Sequence, residues 1–84
     1  MKTHDIKLYP FEYQAVINCT KRFEIRYNDC DYKVNDILII REYTLMGLTG
    51  RYCICRIVYI SDNLFHLQRG FVCLSIQLLN MFEN

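Results

Sequence analysis

Residues 4–18 read HDIKLYPFEYQAVIN and change their hydrophobic period at a single proline. Before Pro10 the residues alternate and place Ile6 and Leu8 on one face, so we expect a β-strand. Pro10 suits the first position of a helix, and Glu12 puts a negative charge in its first turn. The sequence therefore predicts one strand followed directly by one helix of about two to three turns.

Four further segments have the composition of strands. RFEIRY (22–27) alternates, and DILIIREY (36–43) is a β-branched and aliphatic run typical of the middle of a sheet. RYCICRIVYI (51–60) and GFVCLSIQL (70–78) complete the set, and TLMGLTG (44–50) is expected to be a loop. Together they predict a mainly β fold, a small closed or pseudo-barrel of about five strands with one short α-helix after the first strand.

The composition limits the classes of function. Residues 1–84 are expected to form a single domain, with 52% hydrophobic residues and a net charge of +1. That balance argues against a strongly basic protein that wraps nucleic acid, but it leaves room for a local basic patch. No secretory signal is readable and the apolar runs are too short to span a bilayer, so we expect a cytoplasmic protein with no membrane partner.

The cysteines predict neither disulfides nor a metal site. There are five of them, an odd count, and a reducing compartment favours free thiols. Cys53 and Cys55 lie two residues apart in a predicted strand, whereas zinc sites prefer C-x₂₋₄-C spacings on turns. We therefore expect no metal and no cofactor.

The second strand carries an unusual amount of charge. With a period of two, three apolar side chains are expected to face the core: Phe23, Ile25 and Tyr27. Three charged side chains take the other face: Arg22, Glu24 and Arg26. Lys21 precedes the strand. Taken alone, such a face is most simply a solvated ladder of charges, since exposed ion pairs contribute only about 0–1 kcal/mol each.

The segment CTKRFEIR (19–26) is similar to the signature of ASCH domains, Gly-x-Lys-x-x-Glu-x-Arg, in the PUA-like superfamily. Lys21, Glu24 and Arg26 match its Lys, Glu and Arg. Flanking segments resemble a small bacterial and phage ASCH/PUA-type family of unassigned function, and the resemblance covers roughly residues 4–78. Three residues depart from the family pattern: Cys19 and Asn35, which replace glycines, and Cys30, which replaces an arginine.

The resemblance implies a PUA-like fold with a cleft between the helix and the strand that carries Glu24 and Arg26. Relatives in that superfamily bind RNA or nucleotides, so the leading hypothesis is a module that binds RNA or a nucleotide-like ligand. Lys21 and Arg26 are suited to bind phosphate oxygens. Glu24 can accept a hydrogen bond from the amine of a base, or it can orient the two cations. Further ligand contacts are expected from three side chains: Lys7, Tyr9 and Arg51.

Two other classes of function remain as alternatives. Some ASCH relatives are amidohydrolases that deacylate a modified cytidine, and in that case Lys21 and Glu24 are the candidate catalytic residues. The threonine nucleophile of those enzymes is missing at its position, which Glu24 occupies. The third class is a protein-interaction or structural domain, for which the apolar Met81 and Phe82 near the end of the chain are the candidate contact residues.

Overall fold

The computed structural model of the protein describes residues 1–63 and 65–83. Within these residues the elements in chain order are β1 (Thr3–Leu8), α1 (Pro10–Ile17), β2 (Phe23–Tyr27), β3 (Ile37–Thr44), β4 (Gly47–Ser61) and β5 (Phe71–Phe82). The prediction of a mainly β fold with about five strands and one short helix after the first strand is confirmed. No helix in the described part of the chain is long and apolar enough to cross a membrane.

The strands form a single sheet in the order β1-β3-β4-β5-β2. β1 runs parallel to β3, and the other neighbours are antiparallel. Register shifts interrupt the β3–β4 pairing near Arg41 and the β4–β5 pairing near Cys55 and Tyr59. Such bulges increase the local twist, and the sheet curls into a half-barrel.

The long hairpin of β3 and β4 differs from the prediction. The sequence predicts a loop over TLMGLTG (44–50), but within it only Leu45 and Met46 lie outside the strands, and Thr44 pairs with Gly47. Gly47 has a φ of 111°, which a tight turn requires and which a glycine adopts without strain. β4 therefore begins four residues earlier than its apolar pattern indicates.

The core lies on the concave side of the half-barrel, where α1 covers part of β3. From α1, Tyr13 and Val16 are buried, and they meet the inward side chains of the central strands. Cys53 and Cys55 both lie in this core, while Cys73 points to the other face of β5. Within residues 1–63 and 65–83, no group of three His, Cys, Asp or Glu side chains is placed to hold a metal ion.

The prediction for the two faces of β2 is wrong. Glu24 pairs with Leu74 and Arg26 with Val72, and both of these β5 residues are buried, so the charged side chains share the concave face. Phe23, Ile25 and Tyr27 instead stand on the convex face, where each is about half exposed to solvent. The register with β5 sets this orientation, and the buried carboxylate of Glu24 is compensated by the cations beside it.

Candidate functional site

The two edge strands of the sheet, β1 and β2, face each other across a gap that we call the seam. Arg26 reaches across it from β2, and its Nη2 donates a hydrogen bond to the main-chain oxygen of Lys7 in β1 at 3.1 Å. The seam is therefore closed by a side chain where a closed barrel has a ladder of main-chain hydrogen bonds.

A charged tetrad of Glu12, Lys21, Glu24 and Arg26 lies at the end of the seam that meets α1. Glu24 is its centre, because one carboxylate oxygen accepts a hydrogen bond from Lys21 Nζ at 2.9 Å and the other accepts one from Arg26 Nε at 2.7 Å. Lys21 Nζ also donates to Glu12 of α1. Glu24 is 6% exposed at its side chain, whereas Lys21 is 16% and Arg26 30% exposed.

The tetrad keeps Lys21 protonated. Burial by itself lowers the pKa of the Lys21 ammonium, but the hydrogen bonds to Glu12 and Glu24 outweigh burial and raise the pKa above its ordinary value. A lysine held in this way is a poor general base near neutral pH. The hydroxyl of the neighbouring Thr20 is engaged locally, since it lies 2.7 Å from Asn18 Oδ1 and 3.2 Å from the Ala15 carbonyl oxygen.

A cavity of about 450 Å³ opens in the seam beside Arg26. Its walls combine two cations, three tyrosines, two carboxylates and two smaller side chains: Lys7, Arg26, Tyr27, Tyr32, Tyr43, Asp5, Asp29, Ile6 and Cys30. One of the carboxylates is already engaged, because Asp5 pairs with Arg41 Nε at 2.9 Å. We call this space the tyrosine cleft.

The structure brings most of the predicted ligand residues to the seam. Lys21, Glu24 and Arg26 form the tetrad, and Lys7 lines the tyrosine cleft. Tyr9 joins indirectly, since its ring stacks on Tyr43 with centroids 4.5 Å apart and planes 19° apart. Tyr43 has no recognisable motif around it, so the sequence alone does not identify it as a site residue. Only the pairing of β1 with β3 reveals its position.

Arg51 does not belong to this group. It forms a separate network in which its guanidinium pairs with the buried Glu42 at 3.4 Å and with Glu83 at 2.9 Å. The guanidinium carbon also lies 5.1 Å from the centre of the Tyr13 ring. These ion pairs connect Glu83 to the β3–β4 hairpin. The contacts of Arg51 therefore indicate a structural role and not a ligand contact.

Cys19 occupies the glycine position of the ASCH signature, and the local backbone conformation explains why glycine suits that position. Cys19 follows the helix C-cap with a φ of 64°, and the amides of Cys19, Thr20 and Lys21 bond back to carbonyls of the last turn. A left-handed residue at this position is the usual way to end a helix, and glycine adopts it most easily. Cys19 lies outside the tyrosine cleft, so its side chain does not narrow that space. Asn35, the second replacement, keeps a left-handed turn with a φ of 77°.

Comparison with known proteins places this half-barrel with its charged seam in a family. The family model described as "Domain of unknown function (DUF3850)" matches residues 3–76. The match spans most of the chain, and the protein belongs to this family. It is also 34% identical over 61 residues to an "Uncharacterized 12.9 kDa protein in GpA 3'region" of Escherichia phage P2. That alignment covers 73% of this chain and 56% of the relative, so the chain spans about half the length of the phage protein.

Proposed function

We propose that the protein binds a single-stranded RNA segment or a nucleotide-like ligand in the tyrosine cleft. The observation that carries the proposal is the combination of Lys7, Arg26 and three tyrosine side chains around one open cavity of about 450 Å³. Small-ligand sites in proteins have volumes of about 300–1,000 Å³, so the space suits about one nucleotide unit. The similarity of the Lys21-to-Arg26 segment to the ASCH signature supports the same class of ligand.

Arg26 is prepared to hold a phosphate. Its Nε is fixed by Glu24 and its Nη2 by the Lys7 carbonyl, so the planar guanidinium has a set orientation before any ligand arrives. A preorganised guanidinium loses little conformational entropy when it binds a phosphate through two parallel hydrogen bonds. Lys7 adds a mobile point charge on the β1 side of the cleft.

The tyrosines supply surfaces for base stacking. Tyr43 lines the cleft and is backed by Tyr9, while Tyr27 packs edge-on against Phe71 with ring centroids 5.4 Å apart. Stacking of a base on an aromatic side chain contributes about 1–3 kcal/mol and depends little on base identity. The cleft is therefore expected to bind single-stranded ligands with weak sequence preference.

The sequence leaves two roles open for Glu24: accepting a hydrogen bond from a base amine, or orienting Lys21 and Arg26. Both of its oxygens are occupied by Lys21 and Arg26, and the side chain is buried. We assign it to positioning the two cations, and base recognition falls to the walls of the cleft.

Binding experiments test this proposal with a matched pair of charge-removing variants. We expect Lys7→Ala to weaken the binding of a short mixed-sequence RNA, measured by isothermal titration calorimetry at low salt. Arg22→Ala is the control, because it removes the same charge but Arg22 lies beside Cys19, Ile76 and Gln77, outside the tyrosine cleft. Equal binding by Lys7→Ala and the unmodified protein would contradict the proposal.

A further inference from the structure

Lys21 is shared by two carboxylates that differ in their access to solvent. Glu24 is buried and held from both sides by cations, whereas the Glu12 side chain is 36% exposed and its carboxylate bonds Lys21. Glu24 therefore stays in place when the surroundings of Lys21 change. Glu12 is the carboxylate that can be displaced from Lys21.

A second cavity opens directly over this pair. It has a volume of about 430 Å³, and its lining combines the three charged groups with apolar side chains: Glu12, Lys21, Glu24, Leu8, Phe23 and Ile25. Lys21 Nζ lies 5.7 Å from the centre of the Phe23 ring. An anion that enters this space meets one cation, and the carboxylate of Glu12 already occupies that cation.

We propose that Glu12 is an internal competitor for phosphate, so that a ligand phosphate binds Lys21 only by displacing the Glu12 carboxylate. This inference rests on the proposed function and adds to it a second phosphate position, on the α1 side of Arg26. The charge count supports an exchange, because two cations and two carboxylates are balanced in the tetrad. A phosphate added without displacement would give the tetrad an excess of negative charge beside the buried Glu24, which is unfavourable.

The competitor keeps the affinity of the seam low and selects ligands. A phosphate has more acceptor oxygens and more negative charge than a carboxylate. It can therefore displace Glu12 from Lys21, whereas chloride or a carboxylate metabolite binds Lys21 too weakly to do so. Glu12 also lies in the first turn of α1, where a negative charge stabilises a helix by about 0.3–1 kcal/mol. If Glu12 only stabilised the helix, replacing it would leave the affinity of Lys21 for anions unchanged.

The decisive comparison uses Glu12→Gln, which removes the charge and keeps the shape, with Glu83→Gln as its matched control. Glu83 is likewise exposed and paired with a cation, but its partner is Arg51. We expect Glu12→Gln to bind inorganic phosphate at least about fivefold more tightly than the unmodified protein, since the binding-competent state no longer has to be formed by displacement. The ¹⁵N signal of the Lys21 ammonium should move during the titration, and Lys21→Ala in the Glu12→Gln background should remove the gain.

The outcomes separate this inference from the function on which it rests. If RNA binds and Glu12→Gln changes the affinity for neither RNA nor phosphate, the competitor role is wrong and the proposed function stands. If no RNA or nucleotide binds but Glu12→Gln binds inorganic phosphate more tightly at Lys21, the competitor role stands and the proposed ligand is wrong. An equal gain in Glu83→Gln would show a general charge effect and would overturn the inference.

Discussion

Arg26 of β2 donates a hydrogen bond to the main-chain oxygen of Lys7 in β1, at 3.1 Å between Nη2 and the oxygen. The two residues belong to the opposite edges of a five-stranded sheet, so this single side chain spans the open side of the half-barrel. Arg26 also fixes the buried Glu24. One residue thus closes the fold and shapes the cleft proposed to bind ligand.

Removing the side chain of Arg26 should therefore destabilise the fold. Arg26→Ala leaves one oxygen of the buried Glu24 without its cation, and we expect a loss of about 2 kcal/mol in the free energy of unfolding, measured by urea denaturation. Arg22→Ala is the control from the same segment and should change that free energy by less than about 0.5 kcal/mol. If the two variants are equally stable, Arg26 does not hold the seam.

The inverted orientation of β2 makes a second prediction. Ile25 is about half exposed on the convex face, so Ile25→Thr should cost no more than about 0.5 kcal/mol. Leu74 of β5 is fully buried, and Leu74→Ala should cost about 2–5 kcal/mol because it leaves a cavity. Thermal and urea unfolding of both variants measure the difference. A large loss from Ile25→Thr would place this face of β2 in the core after all.

Asp36 is expected to control stability in acid. Burial raises the pKa of its carboxyl, but hydrogen bonds from the Lys2 amide, the His4 ring and the Lys33 amide outweigh burial and lower the pKa from 3.8 to about 2. A depressed pKa means that the carboxylate stabilises the fold above the unfolded-state pKa. This contribution is lost as the pH falls from about 4 towards 2.

The test for Asp36 compares the protein with Asp36→Asn across that range of pH. We expect the variant to be less stable by about 1–3 kcal/mol near neutral pH. The difference should shrink as the pH falls through the window between the two pKa values. A difference that stays constant down to the lower end of the window would show that the charge of Asp36 contributes nothing.

Cys19 gives a prediction of increased stability. Its φ of 64° places it in the left-handed region, which costs a residue with a side chain about 1 kcal/mol relative to glycine. Cys19→Gly should raise the free energy of unfolding by about 1 kcal/mol, less the entropy that glycine adds to the unfolded chain. Cys19→Ala removes the thiol but keeps the strained backbone and should change little. If both variants are equally stabilised, the thiol and not the backbone is responsible.

Much of the fold could be predicted from the sequence because local chemistry determines it. Pro10 begins the helix, and the alternation of Ile6 and Leu8 marks β1 with its correct inner face. The inner face of β2 could not be predicted, because a period of two defines two faces without saying which one is buried. The rule that charges face solvent failed at Glu24, where neighbouring cations offset the cost of burial.

The candidate site was predicted only in part, for a similar reason. The period of two places Glu24 and Arg26 on one face whichever face is inside, and the resemblance to the ASCH signature groups Lys21 with them. Tyr43 and Arg51, by contrast, depend on the tertiary arrangement: the pairing of β1 with β3 brings Tyr43 to the cleft, and Glu42 with Glu83 holds Arg51 away from it. Local patterns contain no information about such contacts between distant segments.

The most direct test of the proposed cleft is an NMR titration of the ¹⁵N-labelled protein at low salt. A short mixed-sequence single-stranded RNA is added first, followed in separate samples by cytidine and by N-acylcytidine. We predict shifts at the backbone amides of Lys7, Arg26, Tyr27 and Tyr43, with no chemical change in the N-acylcytidine. Shifts confined to β4 around the exposed Val58 and Tyr59, or no shifts with any of these ligands, would contradict the proposal.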